Sequence, residues 1–72
     1  MTETIPYNRI KVALAERRKT SRWLADTLQK SPTTVSRWVS NKIQPSLEQL
    51  FEIADVMEID VRELINSNRN TH

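Results

Sequence analysis

The 72-residue chain has no glycine, no cysteine and only four aromatic side chains. Without cysteine there is neither a disulfide framework nor a thiolate metal site, and the composition fits a reducing, cytoplasmic setting. Without glycine there is no flexible loop of the kind that cradles a phosphate. The single histidine, His72, is the last residue, so no base stands near a nucleophile and the inventory argues against an enzyme. The carboxylates of residues 46–63 read as a solvated helical face. No apolar run approaches the ~18 residues of a membrane span. The opening Met1-Thr2-Glu3-Thr4 lacks the basic-then-apolar pattern of a leader. Nothing implies a cofactor, a metal, a small-molecule substrate or a membrane. The expectation is one domain over residues 1–72, with an ordered core over about 7–66 and a polar tail over 67–72.

The overall charge of +2 hides a division at Pro45. Residues 1–45 carry nine basic and three acidic side chains, a net +6, whereas residues 46–72 carry two and six, a net −4. A basic front half is suited to a polyanion, and the sequence pI of about 9.4 lies in the range of nucleic-acid-binding domains. A solvated basic face is the competing explanation of charge alone.

Apolar residues recur at helical spacing between Pro6, Pro32 and Pro45. A first helix is predicted from Tyr7 or Asn8 to Arg18, with Tyr7, Ile10, Ala13 and Leu14 on its inner face. A second begins at the cap Thr20 and buries Leu24, Ala25 and Leu28. Ser31 followed by Pro32 announces a third, since serine caps a helix and proline suits its first turn. Only Gln29 and Lys30 separate Leu28 from that cap, so the two short helices form a helix-turn-helix within Thr20–Lys42. Ser46 and Gln49 form a capping box for a fourth helix with Leu47, Leu50, Phe51 and Ala54 inward. Asp60 and Glu63 start a short fifth, with Val61, Leu64 and Ile65 inward.

On the third helix, Val35, Trp38 and Val39 share one side, and Thr33, Ser36, Arg37 and Ser40 the other. Short hydroxyl side chains around one guanidinium suit a helix entering the DNA major groove, where arginine pairs with guanine through two hydrogen bonds. The base-reading candidates are Pro32, Thr33, Thr34, Ser36 and Arg37. The phosphate-contacting candidates are Thr20, Ser21 and Arg22 at the N-terminus of the second helix, with Ser40, Asn41 and Lys42 at the end of the third. An ordinary polar helix face would have the same composition; position after a tight turn is what favours DNA. Trp38 reads as core. Trp23, beside the Leu24 stripe, reads as half-buried, with base stacking the weaker alternative.

Leu24-Ala25, Leu28, Ser31, Val35-Ser36-Arg37-Trp38, Asn41-Lys42 and Pro45-Ser46-Leu47 resemble the Xre-type, phage-repressor-like helix-turn-helix family. The resemblance extends over residues 8–65 and includes Ile59-Asp60-Val61-Arg62-Glu63-Leu64 as the fifth helix. It implies an all-α, five-helix domain that binds operator DNA, usually as a dimer. It also implies base reading at Pro32, Thr33 and Arg37, and phosphate contacts at Thr20, Ser21 and Lys42. Where the family usually has glycine, this chain has Gln29, Asn41 and Glu58. Asparagine tolerates a left-handed backbone; Gln29 and Glu58 either accept about 1 kcal/mol of strain each or sit in different turns. Leu14 and Val39 replace the family's usual arginine–glutamate pair, an apolar exchange that orphans no charge.

The reading that follows is a small transcriptional regulator that binds a double-stranded DNA operator as a homodimer, with Ile53 and Val56 as candidates for the dimer surface or, equally, for the core. The alternative of a different class is an antitoxin that binds a toxin protein as well as its own promoter. The short polar tail weakly favours the repressor or controller.

Overall fold

The computed structural model describes residues 6–68. It contains α1 (Ile10–Glu16), α2 (Ser21–Leu28), α3 (Pro32–Val39), α4 (Leu47–Met57) and a 3-10 turn, Val61–Leu64. Among the described residues the architecture is therefore all-helical, with four α-helices and a single 3-10 turn where a fifth helix was expected. His72 and most of the expected polar tail lie outside the described residues.

Local chemistry starts α2, α3, α4 and the 3-10 turn where the sequence says it should, whereas α1 begins only at Ile10. Thr20 Oγ1 accepts from the Trp23 N–H at 3.0 Å, and Ser31 Oγ accepts from Thr33 at 3.2 Å. Ser46 and Gln49 close a reciprocal capping box with bonds of 3.1 and 2.7 Å. Asp60 accepts from the Arg62 N–H at 2.8 Å. Each bond satisfies a backbone donor that the first helical turn leaves without a partner.

The helices also stop in one shared way. Arg18, Gln29, Asn41 and Glu58 have φ of 57°, 57°, 63° and 57°, all in the left-handed region. After each of them the next N–H reaches back across the last turn: Lys19 to Leu14, Lys30 to Ala25, Lys42 to Arg37 and Ile59 to Ala54, at 2.8–3.0 Å. A second bond, of 3.0–3.2 Å, ties each left-handed residue to the carbonyl three before it. All four α-helices thus end in a Schellman motif without glycine. Gln29 and Glu58 do accept the left-handed backbone, and Arg18 is a fourth such position that the sequence did not announce.

The core is a single cluster formed by Ile10, Ala13, Leu14, Leu24, Ala25, Val35, Trp38, Ile53, Ala54, Met57 and Leu64. Leu28, Val39 and Val61 are half-buried against it, as are Leu50, Val56 and Trp23. Leu14 is buried and Val39 half-buried, consistent with the apolar replacement of a charge pair.

Several expected faces are corrected. Leu47 and Phe51 are 66% and 55% exposed, whereas Ile53 is fully buried. The inward stripe of α4 is Leu50, Ile53, Ala54 and Met57, spaced i, i+3, i+4, i+7, and Leu47 and Phe51 fall to one side of it. Ile53 therefore belongs to the core and cannot form a dimer surface. Tyr7 is exposed and precedes α1. Residues 7–9 instead run antiparallel to residues 64–66: Arg9 N–H donates to Leu64 O at 2.8 Å, Asn66 N–H to Tyr7 O at 2.9 Å. Ile65, in that pairing, is exposed rather than packed inward.

Candidate nucleic-acid interface

The turn between α2 and α3 is made by Gln29 in the left-handed conformation, φ 57° and ψ 45°, followed by Lys30. Ser31 then caps α3 and Pro32 occupies its first turn. Burial of Val35 and Trp38 fixes the rotation of α3 about its axis. That rotation leaves Thr33, Thr34, Ser36 and Arg37 exposed.

Pro32, Thr33, Ser36, Arg37, Ser40 and Lys42 line one shallow depression of about 400 Å³. All six are candidates from the sequence, brought together on one face. Thr34 is exposed but stands outside this group. The Arg37 guanidinium forms no ion pair with any described residue, so its five donors are not committed to a carboxylate. Ser40 Oγ donates to Arg37 O at 3.3 Å, which holds the hydroxyl against the last turn of α3.

The flanking candidates divide. Ser21 and Arg22 lie in the first turn of α2, where the helix presents free N–H groups and the positive end of its dipole. Thr20 serves as the cap of that turn, with its carbonyl and hydroxyl oxygen both accepting. Arg22 pairs with Asp26 at 3.6 Å in full solvent, a contact of little strength. Lys42 is exposed beyond α3. Asn41 differs, because its side-chain amide is turned into the protein. It donates to Asn8 O at 3.1 Å and accepts from Asn8 N–H at 2.9 Å.

Trp23 is half-buried against the core, and the Lys19 ammonium stands 5.0 Å from its ring centroid. That cation–π contact occupies one indole face. At the start of the 3-10 turn the Arg62 guanidinium grips Asp60 at 3.0 Å and holds the Asp60 carboxyl below its ordinary pKa. Among the described residues no group of histidine, cysteine or carboxylate side chains could hold a metal ion, and no helix is long and apolar enough to cross a membrane.

Sequence reasoning missed Asn8. It is 5% exposed and is the one polar residue buried among those described. A polar residue just before an apolar stripe reads as a solvated helix start, and only the partners around it reveal otherwise.

Two helices joined by a tight turn, the second presenting an exposed hydroxyl-and-arginine face, define a helix-turn-helix protein. The helix-turn-helix family model matches residues 10–64, most of the chain. The chain belongs to this Xre-type, lambda-repressor-like helix-turn-helix family. Among solved structures it is similar to a protein of Bacteroides fragilis provisionally described as DNA-binding. The two share 55% sequence identity and superpose with a TM-score of 0.81, over 83% of this chain and 97% of the other. No curated protein matches the chain.

Proposed function

We propose that the protein is a cytoplasmic transcriptional regulator that binds double-stranded DNA sequence-specifically through α3 in the major groove. The observation that carries this reading is the gathering of Pro32, Thr33, Ser36, Arg37, Ser40 and Lys42 on one exposed face of a helix that follows a tight turn. Family membership and the DNA-binding description of the Bacteroides fragilis protein support it. Arg37 is the guanine reader, and Thr33, Thr34 and Ser36 offer methyls and hydroxyls to neighbouring base edges. Pro32 has no donor and contributes apolar contact. Ser21, Arg22 and the Thr20 cap approach a phosphate on one side of the groove, and Ser40 and Lys42 approach one on the other. Asn41 contributes through its place beside Lys42, since its amide is committed to Asn8.

An eight-residue helix spans few base pairs, so a two-fold arrangement of two copies on a palindromic site is part of the proposal. On α4 the large apolar residues open to a second copy are Leu47 and Phe51, whereas Ile53 is buried.

Selection of bound duplexes from a random pool tests both points. A recovered half-site repeated with two-fold symmetry supports the regulator and the dimer together. Recovery of no ordered sequence, with affinity insensitive to salt, would refute DNA binding, because phosphate contacts release counterions and make affinity fall steeply with salt. An antitoxin would in addition form a stable complex with the product of the adjacent gene, which co-expression detects.

A further inference from the structure

We infer that Asn8 is a positioning residue for DNA reading: it locks the C-terminal end of α3, and the Asn41–Lys42 corner beyond it, onto the start of α1. The inference rests on the proposed DNA-binding role and names a residue outside the DNA-facing surface.

Every polar group of Asn8 has a partner. Its Nδ2 donates to Trp38 O at 2.9 Å and to Gln44 Oε1 at 2.8 Å, and its Oδ1 accepts from the Ile10 N–H at 3.0 Å. Its backbone N–H and C=O are both bound by the Asn41 side-chain amide, at 2.9 and 3.1 Å. Gln44 Nε2 closes the ring on Asn41 Oδ1 at 3.1 Å. Asn66 adds a bond of 3.4 Å to Asn8 O.

Trp38 O is a terminal carbonyl of α3 that accepts from the Asn41 N–H at 3.0 Å and keeps a second lone pair that the helix does not use. Asn8 supplies it with a donor from 30 residues away in sequence. Turning the Asn8 amide over would set its oxygen against Trp38 O, so the pattern of donors fixes a single orientation. Asn41 is thereby more than a residue tolerant of φ 63°. Its amide pairs with the Asn8 backbone much as one strand pairs with another, which no glycine could do. A network centred on a buried residue whose polar groups are all satisfied favours one geometry. Here that geometry sets where the last turn of α3 lies relative to the rest of the domain, and Arg37, Ser40 and Lys42 lie on or beside that turn.

Two variants test the lock. Asn8→Asp keeps the shape and the acceptor for Ile10 but removes both Nδ2 donors and places an oxygen against Trp38 O. Asn41→Gly keeps the left-handed backbone and removes the two bonds to the Asn8 backbone; it decides the matter if Asn8→Asp does not fold. Each is compared with wild type and with Glu58→Gly, which changes a left-handed helix end without touching the network. Circular dichroism establishes folding, and affinities are measured for the selected site and for random-sequence duplex. A displaced reading helix loses base contacts while phosphate contacts persist, so the ratio of selected to random affinity should fall about tenfold, the worth of one base contact. Glu58→Gly should leave that ratio unchanged. An unchanged ratio in a folded Asn8→Asp or Asn41→Gly protein, or an equal loss on both DNAs, overturns the positioning role while the DNA reading stands. If wild type itself selects no site, both fall.

Discussion

Replacing Arg18, Gln29 and Glu58 together by glycine is expected to stabilise the protein. Each residue holds φ of 57°, where an L-residue with a β-carbon is disfavoured by about 1–2 kcal/mol. Glycine removes that penalty but loses more conformational freedom on folding, which returns roughly 0.5–1 kcal/mol. The net gain is about 0.5–1 kcal/mol per site, because all three side chains are exposed and none contributes a buried contact. If the sites add, the triple variant gains about 1.5–3 kcal/mol. For a domain of this size that corresponds to a rise in Tm of roughly 6–24 °C. Thermal and urea unfolding followed by far-UV circular dichroism measure it, and an unchanged urea m-value shows that the gain lies in stability rather than in altered compactness. Asn41→Gly is the internal control. It relieves the same backbone but cuts two hydrogen bonds to Asn8, so it should lose stability where the other three gain. A triple variant no more stable than wild type would refute the reasoning, and with it the left-handed Schellman endings.

Other outcomes follow from single side chains. Arg37→Ala should cost about 1–3 kcal/mol at the selected site and relax preference at one base pair; equal losses on random and selected duplexes would remove Arg37 as a base reader. Ile53→Ala should cost about 2–5 kcal/mol in urea unfolding, as for any buried isoleucine truncated to alanine. Phe51→Ala, at an exposed position, should stay within about 0.5 kcal/mol at low protein concentration, and any greater cost should appear only as concentration rises. Asp60 is depressed in the folded state by its hydrogen bonds from Arg62. The stability it contributes is therefore present above the ordinary aspartate pKa and lost as pH falls through the lower folded value. An NMR titration should show this, and Arg62→Ala should return the Asp60 carboxyl toward its ordinary value.

How much of this was legible in the sequence depends on how local the cause is. Thr20, Ser31-Pro32, Ser46 with Gln49 and Asp60 with Glu63 act within three residues of themselves, and the elements begin where those residues indicate. The exposed face of α3 was equally legible, because Val35 and Trp38 are its inward apolar anchors and their burial leaves only one face for Thr33, Ser36 and Arg37. On α4, by contrast, seven of eleven residues are apolar. Periodicity then permits more than one inward stripe, and the choice falls to the elements packed against it. The fifth helix shortened to a 3-10 turn because the chain turns at Ile65 to pair with Asn8. Asn8 itself was invisible: its partners Trp38, Asn41 and Gln44 lie 30 or more residues away, and no spacing rule connects them. Arg18 escaped for a related reason, since a basic residue at a helix end is fully explained by the helix dipole.

The pairing of residues 7–9 with residues 64–66 also orders events in time. Asn8 and Asn66 are 58 positions apart, so closing that loop costs chain entropy that the short-range contacts of α2 and α3 do not incur. Local helices and the helix-turn-helix can assemble early, whereas the ends meet late. A φ-value near zero for Asn8→Ala would mark that order, and one near unity would exclude it. On this sequence of events α3 exists before its last turn is anchored, and its final orientation is set by one of the last contacts the chain makes.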